Sequence, residues 1–395
     1  MHSLYNMGIG VYGLAIRMAS LFYPKANDWI AGRKNLLEEV RPADIWFHCA
    51  SLGEFEQGRP LIEQIRQEQP QKKILLTFFS PSGYEVRKSY PLVDQVCYLP
   101  LDSPYNAHTF LQKVNPKIAV FVKYEFWANY LLQLQKQGIR TYLVSAIFRE
   151  DQHFFKWYGA WFRKVLTGIT HFFVQDQNSQ QLLQSIGISQ STVSGDSRFD
   201  RVLTNAQTAA PIPLIEQFKG DAPLIICGSS WPKDEALLLS LSKEFPEVKW
   251  VFAPHELKHC SRLAQQSQGL LYSQANQQNI GQHKVLIIDS MGQLSKLYQY
   301  ANVAYVGGGF GAGIHNILEA AAFGCPVVFG PKHHKFKEAQ DLINLGGAQS
   351  IRNAEELTMA LHHFLKTDKS TAISNYCQQQ AGASTLITQQ ILKKS

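Results

Sequence analysis

The chain has 395 residues, 45% of them hydrophobic and 17% charged, and its 38 Lys and Arg exceed its 31 Asp and Glu by seven. That composition excludes a disordered chain, a collagen-like repeat and a coiled coil, and at roughly 150 residues per domain the length points to two domains or three. The basic balance favours anionic partners (phosphates, nucleic acid or an acidic membrane surface) without choosing among them.

The first element is the apolar stretch LYNMGIGVYGLAIRMASLFY, Leu4 to Tyr23. A membrane-spanning helix needs about 20 predominantly apolar residues. Here Arg17 interrupts the run and Gly8, Gly10 and Gly13 weaken it. No small-residue cleavage site follows a basic region, so a secretory signal is not indicated. A helix lying on or dipping into a membrane surface fits, with Lys25, Arg33 and Lys34 placed to meet anionic headgroups. A helix packed on the protein's own core is the other reading the residues leave open.

Beyond residue 44 short apolar runs alternate with helix-period stretches. Ile45–Ala50, Lys73–Phe79, Ile118–Tyr124, Thr141–Ala146 and His171–Asp176 read as strands, and Arg59–Glu68, Trp127–Gln137 and Ser179–Ile186 as crossover helices. That rhythm predicts a parallel α/β sheet. The pattern lapses over Val202–Ala222, which carries Pro211 and Pro213 and reads as a linker. It then restarts with strands PLIICGS, VKWVFAP, KVLIID, VAYVGGG and CPVVFGP and helices opening at Asp234, Glu256, Gln293, Asn316 and Glu338. The expected architecture is two doubly wound, Rossmann-like domains facing a cleft, residues 1–205 and 206–372, with a last helix in 373–395 returning to the first. Six cysteines without a C-x-x-C pair read as buried free thiols of a reducing, intracellular compartment.

Ala301–Pro331 is the richest segment. A strand runs into Gly307, Gly308, Gly309, Gly311 and Gly313, and a helix is expected to open at His315 or Asn316, aiming backbone N–H groups and a positive helix end at a phosphate. Asn316 and Glu319 then share a helix face and can meet a ribose or base; a turn needed only for tight packing is the bland alternative. Gly307-x-Gly309-x-x-Ala312 matches the dinucleotide fingerprint, but the acid expected about 20 residues on is missing, which disfavours hydride-transfer cofactors. Gly53-x-x-x-x-Gly58 lacks the Lys-Ser/Thr of a phosphate-binding Walker loop and contains Glu54 and Glu56, which repel phosphate. His255–His259, HELKH, matches a zinc-protease pattern but follows a strand directly, so His255 is better read as reaching into the cleft. In HCASLGEFEQGRP, Glu54 opens a helix at the end of a strand and is a candidate general base, or else an acid complementing the helix dipole. Lys123 and Glu125 sit at another strand end, Arg198 near the linker, and Ser229 and Ser230 at the first turn of the second domain. No D-x-D pair offers ligands for a divalent metal.

Taken together, HCASLGE, KYEFW, VSGDSRFDRV, CGSSWPKDE and GGGFGAGIHNILEAAAFGCPVVFGP, in this order and spanning nearly the whole chain, resemble the 3-deoxy-D-manno-octulosonic acid (Kdo) transferases of lipopolysaccharide synthesis. The resemblance implies a GT-B glycosyltransferase that needs no cofactor or metal. CMP-Kdo is the implied donor and a lipid A precursor the acceptor, at the cytoplasmic face of the inner membrane, with no nucleic acid partner. It implies Glu54 as the catalytic base of an inverting transfer. Gly228, Ser229, Ser230, Gly308, Gly309, His315, Asn316 and Glu319 become donor-binding, and Ser51, Gly53, Lys123, Glu125 and Arg198 candidates for acceptor or sugar. The family's P-R-H reads Ala253-Pro254-His255-Glu256 here, and its W-P-N reads Trp127-Ala128-Asn129, so His255 enters the donor site with its role open. Another nucleotide-sugar transferase or epimerase, or a non-catalytic phosphate-ligand binding protein, are the alternatives.

Overall fold

Apolar runs flanked by helices become strands buried on both faces, and the chain builds two such sheets. The computed structural model describes residues 1–393. These form two compact units: Met1–Arg201 with the segment from Ala381 onward, and Val202–Gln380. The expected boundaries at 205 and 372 both fall inside helices, Arg198–Gln207 and Ser370–Gln379.

In the first unit β1 (Ile45–Cys49), β2 (Ile74–Phe78), β3 (Gln95–Tyr98), β4 (Ile118–Val122), β5 (Arg140–Ala146), β6 (His171–Val174) and β7 (Ser191–Val193) form one sheet in the order β3-β2-β1-β4-β5-β6-β7. Every pairing is parallel. The order reverses between β1 and β4, and in such sheets the loops leaving the two strands diverge and open a crevice at their carboxyl ends. The central strands β1, β2 and β4 are buried at every residue. β3 and β7 are half-buried sheet members with polar residues, and for that reason they give no apolar run in the sequence.

The second unit repeats the plan. β8 (Leu224–Ser230), β9 (Lys249–Pro254), β10 (Leu270–Leu271), β11 (Val285–Ile287), β12 (Val303–Val306), β13 (Val327–Phe329) and β14 (Ala348–Ser350) are ordered β10-β11-β9-β8-β12-β13-β14, again all parallel, with the switch point between β8 and β12. The stretch read as a linker, Val202–Ala222, is largely helical: Arg198–Gln207 runs into it, and Pro213 supplies the first residue of Pro213–Lys219, a position where its missing N–H costs nothing.

The single C-terminal helix expected in 373–395 is two, Ser370–Gln379 and Ala383–Leu392, separated by Gly382 at φ 103°; residues 394 and 395 lie outside the described residues. The second helix buries Ile387 and Ile391 in the core of the first unit. Asp200 fixes its start by accepting from the backbone N–H groups of Gly382 and Ser384 at 2.5 and 2.7 Å.

The N-terminal helix spans His2–Ala19, and none of its residues is fully buried. Among the described residues no helix is long and apolar enough to cross a membrane. Its inner face is tied to the first unit by Tyr5, whose hydroxyl donates to Asp102 at 2.5 Å, and by His2, whose Nε2 meets Asn129 Oδ1 at 2.8 Å. Arg33 does not face outward as the sequence suggested. Its guanidinium lies 3.6 Å from the centre of the Trp29 ring and donates to the carbonyls of Trp29, Phe79 and Leu99. Burial lowers its pKa to about 9. All six cysteines are free, and five are buried.

Candidate active-site residues

In the first unit the switch-point loops carry the chemistry. After β1 the chain turns at Ser51, in an extended conformation, and enters the helix Leu52–Glu68 ahead of the expected start at Arg59. Ser51 makes no backbone cap; its hydroxyl donates to the Glu54 carboxylate, so the base candidate is oriented from its own turn. A Cβ on Gly53 would meet nothing closer than the Ser51 hydroxyl oxygen at 3.7 Å, which leaves open space beside Glu54. The next glycine, Gly58, lies against Val122 and Cys49 and lets the helix approach β1 and β4.

After β4, Lys123 holds a left-handed backbone at φ 69°, a conformation that costs a non-glycine residue about 1 kcal/mol or more and persists where the surroundings over-determine it. The turn delivers Glu125 to a buried position where Oε2 accepts from Trp127 Nε1 at 2.5 Å and lies 3.2 Å from His48 Nε2. Glu54, Glu125 and Glu56 all surround Cys49: its thiol pKa is pushed well up, first by burial and then by these three carboxylates in that order. Arg198 grips Asp196 with Nε at 2.8 Å and Nη2 at 2.7 Å, at the head of Arg198–Gln207.

In the second unit Gly228, Ser229 and Ser230 end β8. A Cβ at Gly228 would fall 2.0 Å from the Tyr298 hydroxyl, so only glycine fits. Ser229 is left-handed at φ 51°, and Ser230 is buried with its hydroxyl on Glu235 at 3.3 Å. At the end of β12 the glycine loop departs from expectation. No helix opens at His315 or Asn316; a single turn forms at Leu318–Ala321, with Asn316 Oδ1 accepting from Leu318 N–H at 3.2 Å. The loop N–H groups are largely bonded inward: Gly307 to Gly228, Gly308 to Asp234, Gly311 and Gly313 to the Gly308 carbonyl, and His315 to the Gly307 carbonyl. The glycines therefore serve close packing, since a Cβ on Gly309 would lie 2.6 Å from Gly330 Cα, and they do not form a cradle of free N–H donors on a helix end.

Trp231, His255 and His315 stack, with 4.6 Å between the Trp231 and His255 rings and 4.5 Å between His255 and His315. Trp231 Nε1 can only donate, and it donates to His315 Nε2 at 2.9 Å, so the His315 proton sits on Nδ1. Burial first, then the His255 charge, lowers the His315 pKa. Asn316 Nδ2 donates to Glu319 Oε1 at 3.2 Å, so these two act as a pair. His255 and His259 do not share a helix face: His255 joins the stack, whereas His259 lies 3.5 Å from Glu256 on a short turn, Leu257–His259. Among the described residues no group of three or more His, Cys, Asp or Glu could hold a metal ion.

The sequence reading missed Asp234, His48 and Trp231 as site residues. Asp234 is buried and accepts from Trp231 N–H, Gly308 N–H and the Tyr305 hydroxyl at 2.9, 3.1 and 2.7 Å, which joins the two loops of the switch point. Its only signal was W-P-K-D, an acid three residues beyond an N-cap position with Pro at the first helical residue.

Residues 23–201 match a family model described as 3-deoxy-D-manno-octulosonic-acid transferase (kdotransferase). The 3-deoxy-D-manno-octulosonic acid transferase of Rickettsia bellii is 26% identical over 347 residues, 84% of this chain and 82% of its own length. That of Aquifex aeolicus is 25% identical over 346 residues, 86% and 90% of the two chains. Among solved structures, the UDP-GlcNAc 2-epimerase of Neisseria meningitidis bound to UDP-GlcNAc matches with a TM-score of 0.57 at 14% identity, over 89% of this chain and 100% of that one. Acinetobacter baumannii MurG matches with 0.57 at 12% identity, over 89% and 100%. These likenesses show the fold, a GT-B architecture of two Rossmann-like domains. With a family model over residues 23–201 and curated relatives of one name along most of its length, the chain is similar to the 3-deoxy-D-manno-octulosonic acid transferases.

Proposed function

We propose that the protein transfers Kdo from CMP-Kdo to a hydroxyl of a lipid A precursor, with inversion at the anomeric carbon. The observation that carries this reading is the Ser51-oriented Glu54 at the switch point of the unit matched by the Kdo transferase model. Glu54 takes the proton of the acceptor hydroxyl as its oxygen bonds to the anomeric carbon. CMP leaves with the electrons of the broken bond. The second unit holds the donor, where Asn316 and Glu319 suit ribose hydroxyls and the Nδ1–H of His315, with His255 beside it, suits the phosphate whose charge grows in the transition state. Lys123, Glu125 and Arg198 are the polar side chains offered to the acceptor or the sugar.

The acceptor is a lipid, and the N-terminal helix supports an enzyme lying on the cytoplasmic face of the inner membrane. Leu4, Met7, Val11, Leu14 and Met18 recur at helical spacing, each between 58% and 63% exposed, and Leu21 and Phe22 continue the apolar surface. Such a stripe binds the headgroup–acyl boundary.

The test is transfer from CMP-Kdo to a lipid A precursor in detergent with EDTA present. Wild type is expected to transfer, and Glu54→Gln to lose about 10²-fold or more in kcat while CMP still binds. A wild type that is inactive with this pair but binds another nucleotide overturns the substrate assignment.

A further inference from the structure

The helix Ala128–Lys136 opens with Trp127 in the cap position, and Trp127 makes no side-chain cap bond. The first N–H groups of a helix find no partner within it; here three of them are met from elsewhere in the chain. Asp102 accepts from Asn129 N–H at 3.1 Å and from Tyr130 N–H at 3.0 Å. Ala128 N–H donates to the Tyr5 hydroxyl at 3.3 Å, 123 residues away in sequence, and that hydroxyl donates in turn to Asp102 at 2.5 Å. A hydroxyl can do both, giving its one proton and receiving on its oxygen. Ala128 is buried, so the acceptor for its N–H has to come from the protein.

The residue fixed at the start of that helix is Trp127. Its Nε1 donates to Glu125 Oε2 at 2.5 Å and lies 3.1 Å from His48 Nε2. Its ring packs on Phe79 with 4.6 Å between centres, and Tyr12 of the N-terminal helix stacks on Phe79 at 6.2 Å. The N-terminal helix therefore reaches Trp127 twice, through the Tyr5 cap and through Tyr12 and Phe79. We propose that Tyr5 is a positioning residue: by closing the cap of the helix that follows Trp127, it holds the indole that aims Glu125. The inference rests on the functional reading given above, in which Glu125 is offered to the acceptor or the sugar. The N-terminal helix then has different duties on its two faces, an outer stripe offered to lipid and an inner face that completes the site. His2 and Asn6 anchor the same helix in another way, through the Asn129 side chain at 2.8 and 2.9 Å, and take no part in the cap.

Tyr5→Phe keeps the ring beside Trp161, 5.5 Å away, and removes only the hydroxyl. Asp102 retains its two N–H donors, and the Ala128 N–H alone is left without an acceptor. Ala128→Pro deletes that N–H at the first helical position, where proline is favoured, so the double variant has no unmet donor there. The Trp127 indole N–H signal in NMR of the isotope-labelled full chain, assigned with Trp127→Phe, reads the position directly. A shift is expected in Tyr5→Phe, none in Asn6→Ala, and a return toward wild type in the double variant. In the transfer assay in detergent, where no bilayer is present to bind the stripe, Tyr5→Phe is expected to lower kcat/KM for the acceptor about 10-fold, the scale of one buried group left unsatisfied. CMP binding should stay unchanged, and Ala128→Pro should recover most of the loss. An indole signal that Tyr5→Phe leaves in place overturns the proposal, as does a loss that Ala128→Pro does not relieve or that Asn6→Ala reproduces. Failure of wild type to use CMP-Kdo at all would instead strike the functional reading, and the indole signal would still decide whether Tyr5 holds Trp127.

Discussion

His315 shows how one ring in a stack becomes a pH-sensitive contact. Trp231 donates to its Nε2, burial and the neighbouring His255 lower its pKa, and Asp234 acts weakly the other way. His333, packed beside His334 in the same unit, is lowered by the same two causes, burial and a histidine neighbour. A histidine with a depressed folded pKa contributes stability that is present above its unfolded value, near 6.5, and lost as pH falls through the folded value. The protein is therefore expected to melt at a lower temperature at pH 5.5 than at pH 7.5, with a smaller drop in His315→Gln; equal drops in the two proteins would remove His315 as a cause. Glu54 was legible in the sequence because it follows a strand and a small-residue turn at a fixed offset. His48 was not, because within an apolar strand nothing marks a histidine whose partners, Thr77 and Glu125, lie 29 and 77 residues away.

At the scale of elements, strand positions were readable wherever both faces are buried, as in β1, β2, β4 and β8. Polar or very short strands such as β3, β7, β10 and β14 left no such pattern. The glycine loop was read with a helix opening at its end, and its local form differs because inward bonding to Gly228 and Asp234 competes with helix formation and wins. The C-terminal helix Ala383–Leu392 is held by burial and by Asp200. Ile387→Ala, which opens a cavity in a fully buried place, is expected to cost about 2–5 kcal/mol, measured by urea unfolding. A cost under about 1 kcal/mol would mean that this helix adds little to the first unit's core.

At the scale of the molecule, the outer stripe of the N-terminal helix is the feature no fold requirement explains. Its inner face holds Tyr5 and His2 against the first unit, whereas Leu4, Met7, Val11, Leu14 and Met18 stay mostly exposed. Burying exposed apolar area at about 25 cal/mol per Å² favours a lipid boundary. Flotation with anionic phospholipid vesicles is expected to carry the wild type, and to recover severalfold less of a variant with Leu14→Ser and Met18→Ser. Transfer to a detergent-solubilised acceptor should survive in that variant. Equal flotation of the two proteins would place membrane contact elsewhere.

The sequence by itself determined the architecture and the principal site motifs, because strand and helix periods, turn glycines and an acid at a strand end are encoded within a few residues of one another. Only the tertiary structure decided which polar groups meet. Asp234 joins two loops of the second unit, His48 reaches Glu125 from another strand, and Arg33 turns inward to three carbonyls. Each is a buried polar group whose partner must be found somewhere in the fold, since leaving it without one costs more than any local preference supplies, and sequence distance does not say where that partner lies.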